Sequence, residues 1–298
     1  MSQLLSLFDY QEQFSTEEDC FNYLFNHRWP NGFVCPKCGG LEYYMIYQHK
    51  RFQCKQCRHQ TSLIAGTVFH NLRQPLRVLF MAVYLIATSK KGLSAMELRR
   101  KLGIKGYKTA WLLMHKIRTA MASSGKFLLD RMVEVDETYI GGHREGPRGR
   151  GAENKTLVAI AVETNGSQMG RAYLKIIDSL RSAELEQFVN NHVATKAKVR
   201  TDGFKSYGFL KKEYDHNPVI GHKTLKKVDL LPKVHIVIAN LKMWLRGIYN
   251  CLPAKHLQRY LDEFVFRFNR RWNLENIFDK LLVRCLNTNT VTYADLKG

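Results

Sequence analysis

Residues 133–163 read VEVDETYIGGHREGPRGRGAENKTLVAIAVE and carry the strongest structural signal in the chain. Val133 and Val135 alternate with Glu134 and Asp136, which is typical of a strand with one apolar and one polar face. The final part, TLVAIAVE, is apolar at almost every position and indicates a central strand buried on both faces. A loop rich in glycine and arginine separates the two strands.

The residues that follow extend the sheet. A third strand is predicted at RAYLKIIDS, an amphipathic helix at SAELEQFVNNHV, a fourth strand at AKVRTDGFKSY, and then two helices, VIANLKMWLRGIY and PAKHLQRYLDEFVFRFNRR. Short loops join the first three strands, so we expect them to be antiparallel. The fourth follows a crossover helix and should be parallel to a neighbour. The pattern predicts an α/β domain with a mixed sheet flanked by helices.

The composition indicates a polyanionic partner. The 298 residues include 46 Lys and Arg against 26 Asp and Glu, a formal net charge of +20. Such an excess favours nucleic acid, although it also aids solubility. The N-terminus has no recognisable secretory signal, and the longest apolar run, residues 78–87, is too short to span a bilayer. We therefore expect a cytoplasmic protein without a membrane partner.

Four cysteines have the spacing of a zinc site. Two C-x-x-C pairs, Cys35 with Cys38 and Cys54 with Cys57, are separated by 15 residues. Four thiolates close a tetrahedron around Zn²⁺ and leave no position for a substrate, so the predicted zinc is structural. The segments YYMIYQ and RFQC between and beside them are predicted strands. The remaining cysteines are expected to be small buried residues: Cys20, Cys251 and Cys285.

Helical periodicity dominates residues 75–122. Two short helices around Leu102-Gly103-Ile104 are predicted to form a helix-turn-helix-like DNA-binding segment, with Gly103 ending the first helix. Lys105, Tyr107 and Lys108 would then begin the helix that enters the DNA groove. The alternative is a plain helical hairpin with solvated lysines. Near the N-terminus, Ser15 and Glu18 fit a capping box.

These patterns divide the chain into four predicted segments. They are an N-terminal helical segment at residues 1–30, a zinc ribbon at 31–70, the helix-turn-helix-like segment at 71–125 and a catalytic domain at 126–298.

The catalytic prediction depends on acids at the strand ends. Asp136 lies late in the first strand and Asp202 just past the fourth, so in a mixed sheet the two carboxylates can meet at one edge. Two adjacent carboxylates repel unless a cation neutralises them, and Mg²⁺ or Mn²⁺ suits oxygen ligands beside phosphate. Either aspartate alone would more often be a strand-end acid. Glu134 shares the face of Asp136 and is a possible backup acid, whereas Glu137 should point the other way.

The chain resembles bacterial insertion-sequence transposases of the DDE superfamily, in the group with an N-terminal zinc ribbon. CPKCGG…FQCKQCRHQTSLIAGTVFH, VEVDETYIGG, VRTDGFKSY and YLDEFVFRFNRR carry the resemblance, which covers nearly the whole chain. It implies an RNase H-like catalytic domain that cuts DNA ends and joins them to target DNA. Asp136 and Asp202, 66 residues apart, occupy the positions of the family's first two acids.

The third catalytic position departs from the common family pattern. Many relatives have glutamate five residues after a histidine, but HIVIAN places Asn240 there, as in a subgroup that resembles this chain. An amide oxygen can ligate a hard cation, but it brings no charge and cannot act as a base. Glu263 is the rival acid, although Arg267 four residues later predicts an ordinary ion pair.

The implied partners are double-stranded element ends and target DNA, bound by a homodimer or a larger assembly. Basic residues of the loop after the first strand are predicted to hold phosphates near the site: Arg144, Arg148, Arg150 and Lys155. The alternative is a mobile, solvated loop. Two other functions stay open on the sequence. One is a zinc-ribbon regulator without catalysis, and the other is an RNase H-type nuclease that cuts without joining.

Overall fold

A computed structural model describes residues 5–123, 125, 127–141, 155–219, 229–249 and 252–297. Its first ten elements are α1 (Leu7–Gln13), α2 (Glu17–Arg28), β1 (Tyr43–Ile46), β2 (Arg51–Cys54), β3 (Gln60–Ser62), α3 (Leu76–Thr88), α4 (Ala95–Leu102), α5 (Tyr107–Met121), β4 (Met132–Ile140) and β5 (Thr156–Asn165). The remaining elements are β6 (Gln168–Ile176), α6 (Ser182–His192), β7 (Lys198–Thr201), α7 (Leu210–Glu213), β8 (Asp215–Pro218), α8 (Pro232–Ile248), α9 (Ala254–Phe268), α10 (Ile277–Asn287) and α11 (Tyr293–Lys297).

The chain forms two compact units. Unit 1 comprises residues 1–121 and 273–298, and unit 2 comprises residues 122–272. The return of residues 273–298 to unit 1 differs from the sequence interpretation, which extends the catalytic domain to residue 298. The physical reason is α10, whose buried face (Ile277, Phe278, Leu281, Leu282 and Cys285) packs on α3 and α5.

Unit 1 combines the predicted ribbon and helices. Strands β1, β2 and β3 form an antiparallel sheet. The ring of Phe52 on β2 lies within 5.9 Å, centroid to centroid, of five aromatic rings from α2 and the ribbon: Phe21, Phe25, Trp29, Phe33 and Tyr43. The ribbon is too small to form a core of its own, and these ring contacts supply its apolar packing.

Local signals in unit 1 are mostly where the sequence predicts them. Gly103 ends α4 in the left-handed region (φ 64°), and Ser94 caps its start. The capping box of α2 is formed by Thr16 and Asp19, so the predicted pair Ser15 and Glu18 is wrong by one residue. The neighbouring Glu17 accepts hydrogen bonds from the first N–H groups of α3, those of Leu76 and Arg77.

Unit 2 is built on a five-stranded sheet in the order β6-β5-β4-β7-β8. Only β5 runs against the other four, since β4–β5 and β5–β6 are antiparallel and β4–β7 and β7–β8 are parallel. Strand β5 is buried along nearly its whole length, as its apolar sequence predicts. The sheet and its flanking helices confirm the mixed α/β, RNase H-like fold class.

Side chains of α9 and the residues after it cover the outer edge of β6. Asn269 accepts from the N–H of Ala172 (2.8 Å) and donates to its carbonyl (3.0 Å), as a neighbouring strand would. Gln258 pairs in the same way with Ile176 and Leu174, and Arg271 donates to the carbonyl of Gly170. Part of the motif YLDEFVFRFNRR therefore satisfies a sheet edge that would otherwise expose unpaired backbone groups.

Candidate active site

The parallel pairing of β4 with β7 sets Asp136 opposite Asp202. The register pairs Met132 with Lys198 and Glu134 with Arg200; two residues further on are Asp136, within β4, and Asp202, just past the end of β7. Adjacent strands are about 4.8 Å apart, so these two carboxylates share one region at the end of β7. The two aspartates are close enough for the charge of Asp202 to act on Asp136.

A short turn holds Asp202 just past β7. Its Oδ1 accepts from the N–H of Phe204 (2.9 Å), and Gly203 adopts a left-handed conformation (φ 78°). Thr201 Oγ1 lies 3.0 Å from His216 Nε2 on β8, which ties the end of β7 to its other neighbour. Asp202 itself is exposed.

Asp136 is largely buried and faces His235 at the start of α8. Its Oδ2 is 3.2 Å from His235 Nε2, and His235 Nδ1 is 2.6 Å from Asp229 Oδ1. Burial raises the pKa of Asp136; the negative charge of Asp202 raises it further, while His235 opposes the change. The carboxylate thus lies where a nearby positive charge is favourable.

Glu134 holds the N-terminus of α8. Its Oε2 accepts from the N–H groups of Lys233 (2.8 Å) and Val234 (2.9 Å), and the side chain is almost fully buried. Pro232 at the start of the helix has no N–H, so these are the first two amides that need a partner. This carboxylate therefore already has a structural role beside Asp136.

Asn240 lies on a different side of α8 from the Asp136 contact. His235, Lys242 and Arg246 fall at helical spacing on one face, and the charge of Asp136 acts on Lys242. Asn240 comes five residues after His235, about 140° around the axis and about 7.5 Å along it. It is exposed.

Basic side chains lie near Asp136. Burial lowers the pKa of Lys242, and the positive charges of Arg246 and Lys155 lower it further, against the pull of Asp136. Lys242 thus lies within electrostatic reach of Asp136 and of two further cations, Arg246 on the same helix and Lys155 just before β5. Such a group suits a phosphate backbone more than a small neutral ligand.

The two remaining acids are engaged elsewhere. Glu263 is fully buried, and its Oε1 accepts from Arg267 Nη2 at 2.9 Å, which confirms the predicted ion pair. Glu137 points away from Asp136, as predicted, and its Oε2 accepts from the hydroxyl of Tyr207 (2.9 Å).

The four predicted zinc ligands come together in unit 1. The Sγ atoms of Cys35 and Cys57, and those of Cys38 and Cys54, are each 3.6 Å apart, and all four lie within 4.8 Å of one another. Zn–S bonds of about 2.3 Å in a tetrahedron give S···S distances of roughly 3.8 Å, so the cluster fits zinc. Cys20 and Cys285 are buried as predicted, whereas Cys251 lies outside the described residues.

The predicted DNA-contacting residues are only partly described. Lys105, Tyr107 and Lys108 are all exposed, at or just before the start of α5. Arg148 and Arg150 lie outside the described residues. Among the helices that the structure describes, none is long and apolar enough to cross a bilayer.

Sequence reasoning missed His235, Asp229 and Lys242 as neighbours of the site. A helical projection of α8 contains part of the signal, because its apolar stripe (Val234, Val237, Leu241 and Leu245) fixes which residues flank the sheet. The contact between His235 and Asp229 could not be predicted from helical periodicity, because Asp229 precedes the helix.

Comparison with known proteins agrees with the division into units. Residues 128–269, which lie within unit 2, match the family described as ISXO2-like transposase domain. Residues 15–60, which contain all four clustered cysteines, match the family described as transposase zinc-ribbon domain.

Individual relatives are more distant. The chain is 27% identical over 214 residues to an uncharacterized protein in transposable element ISH50 of Halobacterium salinarum, covering 65% of this chain and 70% of that protein. The Mos1 strand transfer complex gives a TM-score of 0.31 at 12% identity over 70% of this chain and 77% of that chain. The pre-cleavage Mos1 transpososome gives 0.28 at 12% identity over 69% and 78%. Such low TM-scores support no inference. Its two domain matches thus give the chain a transposase zinc-ribbon domain followed by an ISXO2-like transposase domain.

Proposed function

We propose that this transposase cuts the ends of its insertion element and joins them to target DNA by metal-dependent phosphoryl transfer. The observation that supports the proposal is the parallel pairing of β4 and β7 in the transposase domain, which leaves Asp136 and Asp202 close enough for the charge of Asp202 to act on Asp136. Opposed carboxylates with a raised pKa at Asp136 are costly without a cation and suited to one.

The two aspartates are the proposed ligands of Mg²⁺ or Mn²⁺, which both prefer carboxylate oxygens. Such ions supply charge neutralisation and a more acidic water or hydroxyl for in-line displacement. To bind the cation, Asp136 would give up its contact with His235. The imidazole ring of His235 would still contact the carboxylate of Asp229. Lys155, Lys242 and Arg246 are proposed to hold the DNA phosphates beside the aspartates.

Asn240 is the proposed third member of the catalytic set, in an Asp-Asp-Asn arrangement. Its place on a face of α8 turned from His235 and its lack of charge favour a secondary role, such as orienting water or DNA. Glu263 is a weaker candidate because it is buried against Arg267. Glu134 is better suited to fixing α8 than to binding metal.

Unit 1 is the proposed DNA-reading part. The chain's net charge of +20 supplies attraction to phosphate. Helices α4 and α5 with the intervening turn have the order of a helix-turn-helix. Lys105 lies exposed in the turn, and the exposed Tyr107 and Lys108 begin the second helix. Joining two element ends implies a homodimer or a larger assembly on DNA. The proposed location is the bacterial cytoplasm, in association with DNA.

Product analysis tests the proposal. Purified zinc-loaded protein is incubated with Mg²⁺ and labelled duplexes that carry the sequences flanking its gene, together with a supercoiled target plasmid. The proposal predicts nicked ends and end–plasmid joints. Nicks without joints would indicate a nuclease, and tight binding without nicks would indicate a regulator; either result contradicts the proposal.

A further inference from the structure

Tyr207 links the segment that carries Asp202 to the strand that carries Asp136. It lies in the 3₁₀ turn Lys205–Tyr207, five residues after Asp202, and is fully buried. Its hydroxyl donates to Glu137 Oε2 at 2.9 Å, and Glu137 is the neighbour of Asp136 on β4. One hydrogen bond therefore joins the two chain segments that bear the aspartates.

The backbone ladder does not make this connection. Pairing between β4 and β7 includes Met132–Lys198, Val133–Val199 and Glu134–Arg200, and within the described residues it ends there, two residues short of the aspartates. Asp202 is also beyond the end of β7 at Thr201. The separation of the two carboxylates thus depends on what holds the segment after β7.

That segment is braced from Asp202 to Tyr207. The N–H of Phe204 donates to Asp202 Oδ1 (2.9 Å), and the N–H of Tyr207 donates to the carbonyl of Phe204 (3.0 Å). The turn also packs against α6. A shift of the Tyr207 ring would therefore be transmitted to Asp202 through five residues of tightly bonded backbone.

The electrostatics agree with this geometry. Burial raises the pKa of Tyr207 well above its ordinary value, and the charges of Glu137, Asp136 and Asp202 act in the same direction. The hydroxyl therefore stays protonated and remains a donor. Glu137 faces away from Asp136, so it does not compete for the same cation.

We infer that Tyr207 and Glu137 are a positioning pair that sets the spacing of Asp136 and Asp202 for a divalent cation. The inference rests on the proposed role of the two aspartates as metal ligands. Neither Tyr207 nor Glu137 touches the metal or the DNA in this account. Partners that orient metal ligands typically change metal affinity by about 10- to 100-fold when they are removed.

The test measures Mn²⁺ binding to the full-length zinc-loaded protein, with the electron paramagnetic resonance signal of free Mn²⁺ as the readout. Tyr207→Phe removes the hydroxyl and keeps the ring; Glu137→Ala removes the acceptor. Each is expected to weaken Mn²⁺ binding about tenfold or more. Because both remove the same bond, the double variant should bind about as weakly as either single one. Glu137→Gln keeps an acceptor and should lose no more than about threefold, from its missing charge.

Tyr214→Phe is the matched control. Tyr214 is a buried tyrosine of the same unit whose hydroxyl donates to Asn190 Oδ1 (2.8 Å), away from the aspartates. Thermal melts should show similar losses of stability for the two Tyr→Phe variants, and only Tyr207→Phe should lose Mn²⁺ affinity. Equal Mn²⁺ affinities for the two variants would overturn the inference.

Asp202→Ala separates this inference from the proposed function. Loss of Mn²⁺ binding in Asp202→Ala with unchanged binding in Tyr207→Phe would overturn the positioning pair and leave the metal site standing. Wild-type binding by Asp202→Ala would overturn the metal site itself, and the positioning inference with it.

Discussion

Replacing Glu134 with alanine should release the N-terminus of α8, a 17-residue helix beside the candidate site. The change leaves the N–H groups of Lys233 and Val234 without their carboxylate acceptor. Each unsatisfied buried N–H costs about 1–3 kcal/mol, and loss of a negative charge at a helix N-terminus adds about 0.3–1 kcal/mol. Since Lys233 is only partly buried, we expect a total near 2–5 kcal/mol.

Glu134→Gln separates the charge from the hydrogen bonds. The amide oxygen can still accept from both N–H groups, so the expected loss is only about 1 kcal/mol. Since 1.4 kcal/mol corresponds to a factor of ten, the alanine change should lower amide protection at the start of α8 roughly 30-fold to several thousand-fold. The glutamine change should lower it about fivefold.

Hydrogen exchange followed by mass spectrometry on peptides that span residues 233–241 measures this directly. Glu213→Ala is the control, because it removes an exposed carboxylate from the same unit. Wild-type protection of α8 in Glu134→Ala would refute the capping role and return Glu134 to the list of possible metal ligands.

Four further outcomes are expected. Asn240→Ala should slow nicking about tenfold, which corresponds to the free energy of about one neutral hydrogen bond. A decrease in nicking rate as large as that caused by removing either aspartate would instead give Asn240 a role equal to theirs. Cys57→Ser should lower the zinc content measured by mass spectrometry and unfold the ribbon, whereas retained zinc and ribbon structure would contradict a four-thiolate site. Asn269→Ala should destabilise unit 2 by about 1–3 kcal/mol in urea titrations and favour aggregation through the uncovered β6 edge, and no change in either would contradict that role. Burial lowers the pKa of Lys116 to about 8, below its unfolded value near 10.5, so the unfolded chain binds more protons between these values and stability should rise with pH across them. Lys116→Met should remove that slope in urea titrations, and an unchanged slope would exclude Lys116 as its source.

Much of unit 2 was accessible from the sequence because strand periodicity is local. The alternation around Val133 and Val135 and the apolar run of β5 predict the strands, and the crossover helix α6 predicts that β7 is parallel to a neighbour. That this neighbour is β4 was one possibility. Once those strands are adjacent, their register directs Asp136 and Asp202 toward one region, although the pairing itself ends at Glu134 and Arg200. The zinc site was predictable for a similar reason, since C-x-x-C spacing is a property of one turn.

The surroundings of the aspartates were harder to predict because they depend on how α8 is rotated and where it begins. Counting five residues from His235 reaches Asn240 but does not show that His235 and Lys242 flank Asp136. Likewise, the amphipathic α10 fits either unit by its pattern, and only tertiary packing assigns it to unit 1. Glu134 illustrates the same limit. Its acidic side chain suggests a metal ligand, whereas in the structure it is buried and accepts hydrogen bonds from the N-terminus of α8.

The central claim is that Asp136 and Asp202 jointly hold the catalytic cation. Its most direct measurement compares Mg²⁺-dependent nicking and joining of end DNA by wild type, Asp136→Asn and Asp202→Asn, with Asp215→Asn as an exposed control of equal charge change on β8 of the same sheet. The account predicts that both site variants bind the DNA but lose nicking and joining together, while the control keeps both. Full nicking and joining by either site variant would contradict the claim.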